Sequence, residues 1–283
     1  MRVRCDGPAC RLRAGDCGLG ARDGEATGCL GRCDVPVAAE EAGRALTIVA
    51  RWRLEPYQAP ALPAQPGAPV ILRDAGFRDQ ADFAAARRRG AYGALAKLEV
   101  ARAAELAASV GERAPACAGD FAARVLCERD PHLVLEGLAI VARGRGTPLR
   151  VPALLADAAA AAREHLGAFD VHPGAFDVDP GAFDVHPGAF DAGDGAELVQ
   201  AARVARAAGL GGAHDTILCA VSGDVLRPGL YELLAGATIA EAIAAAGGVV
   251  AGLLVAPPSP AHDLAAPAPR ALVVTHAGRA QLC

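Results

Sequence analysis

The chain has 283 residues, 53% of them apolar, enough to bury two or three separate cores. Its net charge of −4 argues against a nucleic-acid surface, and its apolar content is mostly Ala, with 4% aromatic residues and a single Trp, Trp52. The segment Met1 to Asp6 has two arginines and no apolar core, unlike a secretory signal, and the longest apolar stretch, Gly247 to Pro258, is too short to span a bilayer. These features predict a cytoplasmic protein whose nine cysteines are metal ligands or thiols rather than disulfides.

Met1 to about Ala50 is cysteine-rich. Arg51 to Pro69 carries Pro56, Pro60, Pro63, Pro66 and Pro69 and reads as an extended linker. Helical signals follow over Gln80–Arg89, closed by Gly90, and over Tyr92–Val110, closed by Gly111. The basic run Arg87 to Arg89 suits a helix C-terminus, where cations complement the macrodipole and Gly90 supplies the left-handed cap. Leu95, Leu98, Leu106 and Val110 fall close to one face of the second helix and are candidate core.

Phe121 to Val141 fits helix or strand by periodicity alone, and Pro152 to Leu166 reads as a helix with Pro in its first turn. Ala-rich helices of this kind have good propensity but bury little area each, which predicts shallow packing and modest stability.

Gly167 to Asp194 is four near-identical heptads, beginning Gly-Ala-Phe-Asp-Val-His-Pro. Pro followed by Gly at each junction forbids a coiled coil and predicts a turn per copy, hence a flexible, low-complexity insert. The alternative is a metal array of Asp170, Asp177, Asp184 and Asp191 with His172 and His186, although this period does not match calcium loops.

From Gly212 to Cys283 the signals sharpen. Ile217 to Val221 is a short apolar strand, Pro228-Gly229 a turn, and Thr238-Ile239-Ala240-Glu241 a capping box opening a helix that Gly247 closes.

Cys5-x4-Cys10 and Cys29-x3-Cys33 are the sharpest chemical constellation. Two close pairs of thiolates suit a [2Fe–2S] cluster, one pair per iron; tetrahedral zinc and no metal are the alternatives. The 18 residues between Cys10 and Cys29 include five Gly and leave little room for a helix plus a strand, so any cluster is expected to be exposed and labile. Cys17 lies within that spacer as a substitute ligand. Cys117, Cys127 and Cys219 read as small buried residues, and His132 and His214 as ordinary polar ones. Ser222 lacks the glycine of a nucleophile elbow, and the short Gly pairs complete no dinucleotide fingerprint.

Two strings carry a family resemblance. Glu128-Arg129-Asp130-Pro131-His132-Leu133-Val134-Leu135-Glu136-Gly137 and Ser222-Gly223-Asp224-Val225-Leu226-Arg227-Pro228-Gly229-Leu230-Tyr231-Glu232 resemble, in this order, the NADH-oxidising flavoprotein subunit of respiratory complex I. Its fused relatives occur in NAD-reducing hydrogenases and NAD-dependent formate dehydrogenases. The resemblance implies an α/β or α+β multidomain fold. Residues 1–50 would be a truncated thioredoxin-like [2Fe–2S] ferredoxin, 51–69 a linker, 70–211 a degenerate FMN- and NADH-binding domain, and 212–283 an SLBB-like β-grasp domain. It also favours helix from His132.

The cofactor motifs match less well. The family's glycine-rich phosphate loop has no counterpart between Val100 and Gly119, and its Asn-Ala-Asp-Glu motif cannot exist in a chain without Asn. Cys117 to Arg124 resembles the segment after that motif with its charged centre replaced by Ala. The Gly-Glu-Glu-Thr-Ala-Leu string near the NADH site is matched weakly by Gly193-Asp194-Gly195-Ala196-Glu197-Leu198, leaving Gly193 and Asp194 as an NADH-site remnant. A four-cysteine [4Fe–4S] motif is not among these residues.

The resemblance therefore implies a divergent electron-transfer subunit of an NADH:acceptor oxidoreductase, at most a one-electron relay through Cys5, Cys10, Cys29 and Cys33. Its partners would be other subunits of an NADH-linked complex. It implies no catalytic residue and no activity for the chain alone. The alternative is a non-catalytic interaction module or gene remnant that has lost its FMN, NADH and [4Fe–4S] sites.

Overall fold

The structure, a computed structural model, describes residues 2–5, 10, 25–27, 32, 35, 37–42, 44–50, 53–77, 79, 82–110, 120–147, 149, 151–166, 192–210, 215–248, 264–274 and 280–282. The first three heptads, Gly111 to Gly119, Cys17, Cys29, Cys33, Trp52 and His214 lie outside them.

Strands β1 (Arg2–Cys5), β2 (Glu25–Thr27), β3 (Ala38–Glu41), β4 (Arg44–Ala50) and β5 (Arg53–Pro56) form one sheet in the order β2-β1-β3-β4-β5. β1 and β2 run parallel, and the other pairs are antiparallel. A parallel pair needs a crossover of about a dozen residues or more, which residues 6–24 supply. The cysteine spacer, expected to be too short for a helix plus a strand, thus contains the three-residue strand β2. The linker also starts differently from expectation, because Arg53–Pro56 pairs with β4. Val35, Val37, Ala38, Ala39, Ile48 and Cys10 form a small core under this sheet.

The central body is helical: α1 (Phe83–Arg88), α2 (Gly93–Lys97), α3 (Val100–Ser109), α4 (Ala122–Arg129), α5 (Pro131–Arg145), α6 (Ala156–Leu166) and α7 (Ala192–Leu210). A 3₁₀ turn, Ala153–Leu155, precedes α6. The expected helix over Tyr92–Val110 is broken in two, with Leu98 and Glu99 extended. The reason lies on α5. The Glu136 carboxylate accepts from Ala94 and Leu95 N–H, both at 3.1 Å, and Arg143 donates to the Leu95 carbonyl at 3.2 Å. An acid at its N-terminus and a base near its C-terminus hold α2 as a separate turn of helix.

Helix α5 is the axis of the body. Asp130 caps it by accepting from Leu133 N–H at 3.2 Å, Pro131 occupies its first turn, and Gly146 ends it at φ 63°. Every residue from Pro131 to Val141 is buried. Packing is close rather than shallow, because the small residues let backbones approach. A Cβ on Gly137 would sit 1.8 Å from the Ala201 carbonyl oxygen of α7, and one on Gly144 2.2 Å from that of Ala103 in α3.

The C-terminal sheet has the order β7-β6-β8-β9, from β6 (Thr216–Gly223), β7 (Gly229–Leu234), β8 (Ala271–Val274) and β9 (Ala280–Leu282), with α8 (Ile239–Ala245) against it. The capping box forms in full: Glu241 N–H donates to Thr238 Oγ1 at 3.2 Å and Thr238 N–H to Glu241 Oε2 at 2.7 Å. β6 is buried on both faces. Leu218 and Ala220 join the helical core, while Cys219 and Val221 face the cluster containing Ile239 and Ala242 of α8. A strand so placed reads as an unbroken apolar run, which is how Ile217 to Val221 looks in sequence.

Glu232 of β7 ties the proline-rich segment down. Its carboxylate accepts from Val70, Ile71 and Leu72 N–H at 3.0, 2.9 and 3.0 Å, and from Thr216 Oγ1 at 2.7 Å. Gln65 donates to the Leu230 carbonyl and accepts from Glu232 N–H, covering the open edge of β7 as a neighbouring strand would.

Candidate functional site

Of the cysteine pairs, Cys5 and Cys10 fall among the described residues. Cys5 is the last residue of β1 and lies opposite Thr27, the last residue of β2, in a parallel register. Thr27 stands two residues before Cys29 in the sequence. Cys10 is fully buried among Val35, Val37, Ala38, Ala39 and Ile48. The side chain of Cys5 and all of Cys29 and Cys33 lie outside the described residues. Among the described residues no group of three or more His, Cys, Asp or Glu side chains is gathered as a metal site.

Arg32, between Cys29 and Cys33 in sequence, is described. Its guanidinium lies 5.1 Å from the ring centroid of Tyr57, and its buried Nε and Nη1 have no hydrogen-bond partner among the described residues. Arg124 stacks 5.3 Å from the same ring centroid and also donates to Tyr57 Oη. The Glu128 carboxylate accepts from Arg124 at 2.7 Å and from Tyr57 Oη at 3.2 Å. Arg129 donates to the carbonyls of Ala59 and Pro60. This joint fastens the N-terminal sheet to α4. Sequence signals for it exist in part: Arg124 and Glu128 are an i,i+4 pair, and Arg32 stands out as a cation inside a cysteine pair.

Of the four cysteines of the expected ligand set, the described side chain is that of Cys10, and it packs among apolar side chains.

The remaining candidates sit in the helical body. Gly193 and Asp194 fall in the first turn of α7, on a different unit from the cysteine edge, and their side chains are outside the described residues. A cleft of about 400 Å³ opens between the α1–α2 region, α5 and α7, lined in part by Arg73, Asp74, Lys97, Asp130, Glu136 and Arg206. Arg206 bridges Asp74 at 2.9 Å and Asp130 at 3.4 Å, and its buried Nε has no partner among the described residues. Burial pushes the Asp74 carboxyl up, but hydrogen bonds and charge from Arg73 and Arg206 outweigh it and hold it below the usual range. Burial raises the Glu136 carboxyl despite its backbone donors. Arg206 spans two carboxylates and Glu136 caps α2, so this constellation braces α2, α5 and α7 against one another.

His132 is fully buried, and its Nδ1 lies 2.8 Å from Tyr92 Oη with Phe83 edge-on. Cys127 and Cys219 are buried as expected. Burial raises both thiols, that of Cys219 to about 12, so neither is poised to react.

No described helix is long and apolar enough to cross a membrane. No curated protein matches this chain in sequence. Residues 219–252 match the family model described as SLBB domain. Among solved structures, the chain is similar to a chain of an NAD+-reducing [NiFe]-hydrogenase in the H2-reduced state, at 16% identity and a TM-score of 0.53. It is similar also to one in the air-oxidized state, at 17% identity and a TM-score of 0.51. Each likeness covers 87% of this chain but 60% of the hydrogenase chain, so this chain spans about three-fifths of those relatives. At this identity the likeness establishes fold: a mixed α/β chain with an SLBB-type segment near its C-terminus, built like the larger part of a chain of that hydrogenase.

Proposed function

We propose that this chain is a divergent electron-transfer subunit of the NADH:acceptor oxidoreductase type. It relays single electrons through one [2Fe–2S] site held by Cys5, Cys10, Cys29 and Cys33. Residues 1–50 act as the ferredoxin-like unit, 70–211 as a flavin-domain body turned to support, and 212–283 as the SLBB-like unit. Its partners are other subunits of an NADH-linked complex, and its compartment is the cytoplasm.

The observation that supports this reading most is the parallel register that sets Cys5 opposite Thr27, two residues before Cys29 in the sequence. When bound, the cluster supplies a one-electron carrier. The protein's part is to supply the four thiols and to exclude water around Cys10. No flavin or nicotinamide step is assigned to this chain, because its sequence lacks the glycine-rich phosphate loop of the family it resembles.

Non-catalytic support is the second reading, favoured by the cleft, whose Arg206 is spanned by Asp74 and Asp130 rather than offered to a ligand. Anaerobic reductive titration of the reconstituted chain separates the two. The relay reading expects about one electron per chain with no flavin present. Uptake of no electrons, or of a pair with a flavin spectrum, contradicts it.

A further inference from the structure

We propose that the cavity between α3 and α7 is a binding site for a short-chain monocarboxylate, with the carboxylate on the Arg203 guanidinium and the alkyl body against the apolar wall. This site lies in the helical body and does not depend on the relay reading above.

The cavity has a volume of about 130 Å³. Its lining includes Gln200, Arg203 and Val204 of α7, spaced i, i+3 and i+4 and so on one helix face. Leu106 and Ser109 of α3, again one turn apart, and Ile71 stand around the same space. An apolar cavity of about 150 Å³ holds a benzene ring, so this volume suits about six non-hydrogen atoms, the size of butyrate.

Arg203 is half-buried, and its buried Nε has no hydrogen-bond partner among the described residues. Burial disfavours the charged form and pulls the guanidinium below its ordinary value, although it stays protonated. The carboxylate that opposes this is that of Glu232. Its oxygens are already engaged by the amides of Val70, Ile71 and Leu72 and by Thr216 Oγ1. Arg206, one turn further along α7, is spanned by Asp74 and Asp130. Two arginines of one helix thus differ: Arg206 has protein carboxylates and Arg203 has a cavity. A half-buried cation is costly to keep, and an anion accepting from it removes that cost. The Ser109 hydroxyl donates to the Leu106 carbonyl at 2.6 Å and so offers a ligand no proton, whereas the Gln200 amide can donate. Ile71, Leu106 and Val204 give the rest of the ligand an apolar wall, against which the oxygens of a phosphate would lie desolvated and unpaired.

The test is calorimetric titration of the full chain, with parallel thermal melts, using butyrate, its neutral isostere butyramide and inorganic phosphate at fixed ionic strength. Wild type is expected to bind about one butyrate, to melt higher in its presence, and to ignore butyramide. Arg203→Met is expected to weaken butyrate about tenfold or more, as loss of a charge-assisted pair implies, and Arg203→Lys to keep part of the affinity. If Arg203→Met does not fold, the contrast between butyrate and butyramide on wild type decides. No butyrate binding, an equal response to butyramide, or unchanged affinity in Arg203→Met overturns the site. Phosphate bound in preference to butyrate overturns the monocarboxylate assignment. None of these outcomes bears on the iron content that tests the relay.

Discussion

Glu136 is the residue at which sequence and fold part most clearly. It is 4% exposed, it caps α2 from another helix, and burial raises its carboxyl above the ordinary value of 4.5. A raised carboxyl contributes stability that is full below the unfolded pKa and is lost as pH rises through the folded one. Glu136→Gln keeps an oxygen for the Ala94 and Leu95 amides but does not titrate. Wild type is therefore expected to lose stability relative to the variant between about pH 5 and about pH 8, as read from paired thermal melts. An equal difference at both pH values would refute the assignment. Asp74 runs the other way: with its carboxyl held low, its contribution is lost in acid, as pH falls through a folded value below 3.8. Local signals were legible in the sequence where both partners are close in the chain, as in the Thr238–Glu241 box. Glu136 was not, because the amides it caps lie 41 and 42 residues upstream.

At the scale of elements, the backbone contacts of small residues decide the packing. Gly137→Ala should gain up to about 1 kcal/mol in helix propensity. Its new Cβ, however, would lie 1.8 Å from the Ala201 carbonyl, and overpacking of that kind costs about 1–3 kcal/mol or more. Urea denaturation is expected to show net destabilisation for Gly137→Ala. Gly93→Ala, where a Cβ meets nothing within 4 Å, serves as the tolerated control. A stabilised Gly137→Ala would mean that α5 and α7 do not cross at this point. The same small residues explain why α7 went unread in the sequence. It is Ala-rich on all sides and carries Arg203 and Arg206 among its apolar positions, so periodicity gives it little signal. The split of Tyr92–Val110 was equally hidden, since Glu136 and Arg143 of α5 define the boundaries of α2. Helix α1 and strand β6, by contrast, stood out: one has its own caps, the other an apolar run buried on both faces.

At the scale of the whole molecule, the described residues form a small sheet that includes Cys5, a helical body and a sheet with one helix, in chain order. The joints between them are polar and specific. Glu232 grips Val70 to Leu72, and Arg124 with Tyr57 fastens the N-terminal sheet to α4. The cysteine spacing named the candidate ligands, but the joint at Arg32 depends on residues brought together only by the fold. The measurement that tests the central claim most directly is iron and sulfide analysis, with visible spectra, after anaerobic reconstitution of wild type and Cys10→Ser. The relay account predicts about two irons and two sulfides per wild-type chain and loss of the cluster spectrum in the variant. A wild-type chain that stays colourless and iron-free, or a variant indistinguishable from it in iron content and spectrum, would contradict that account.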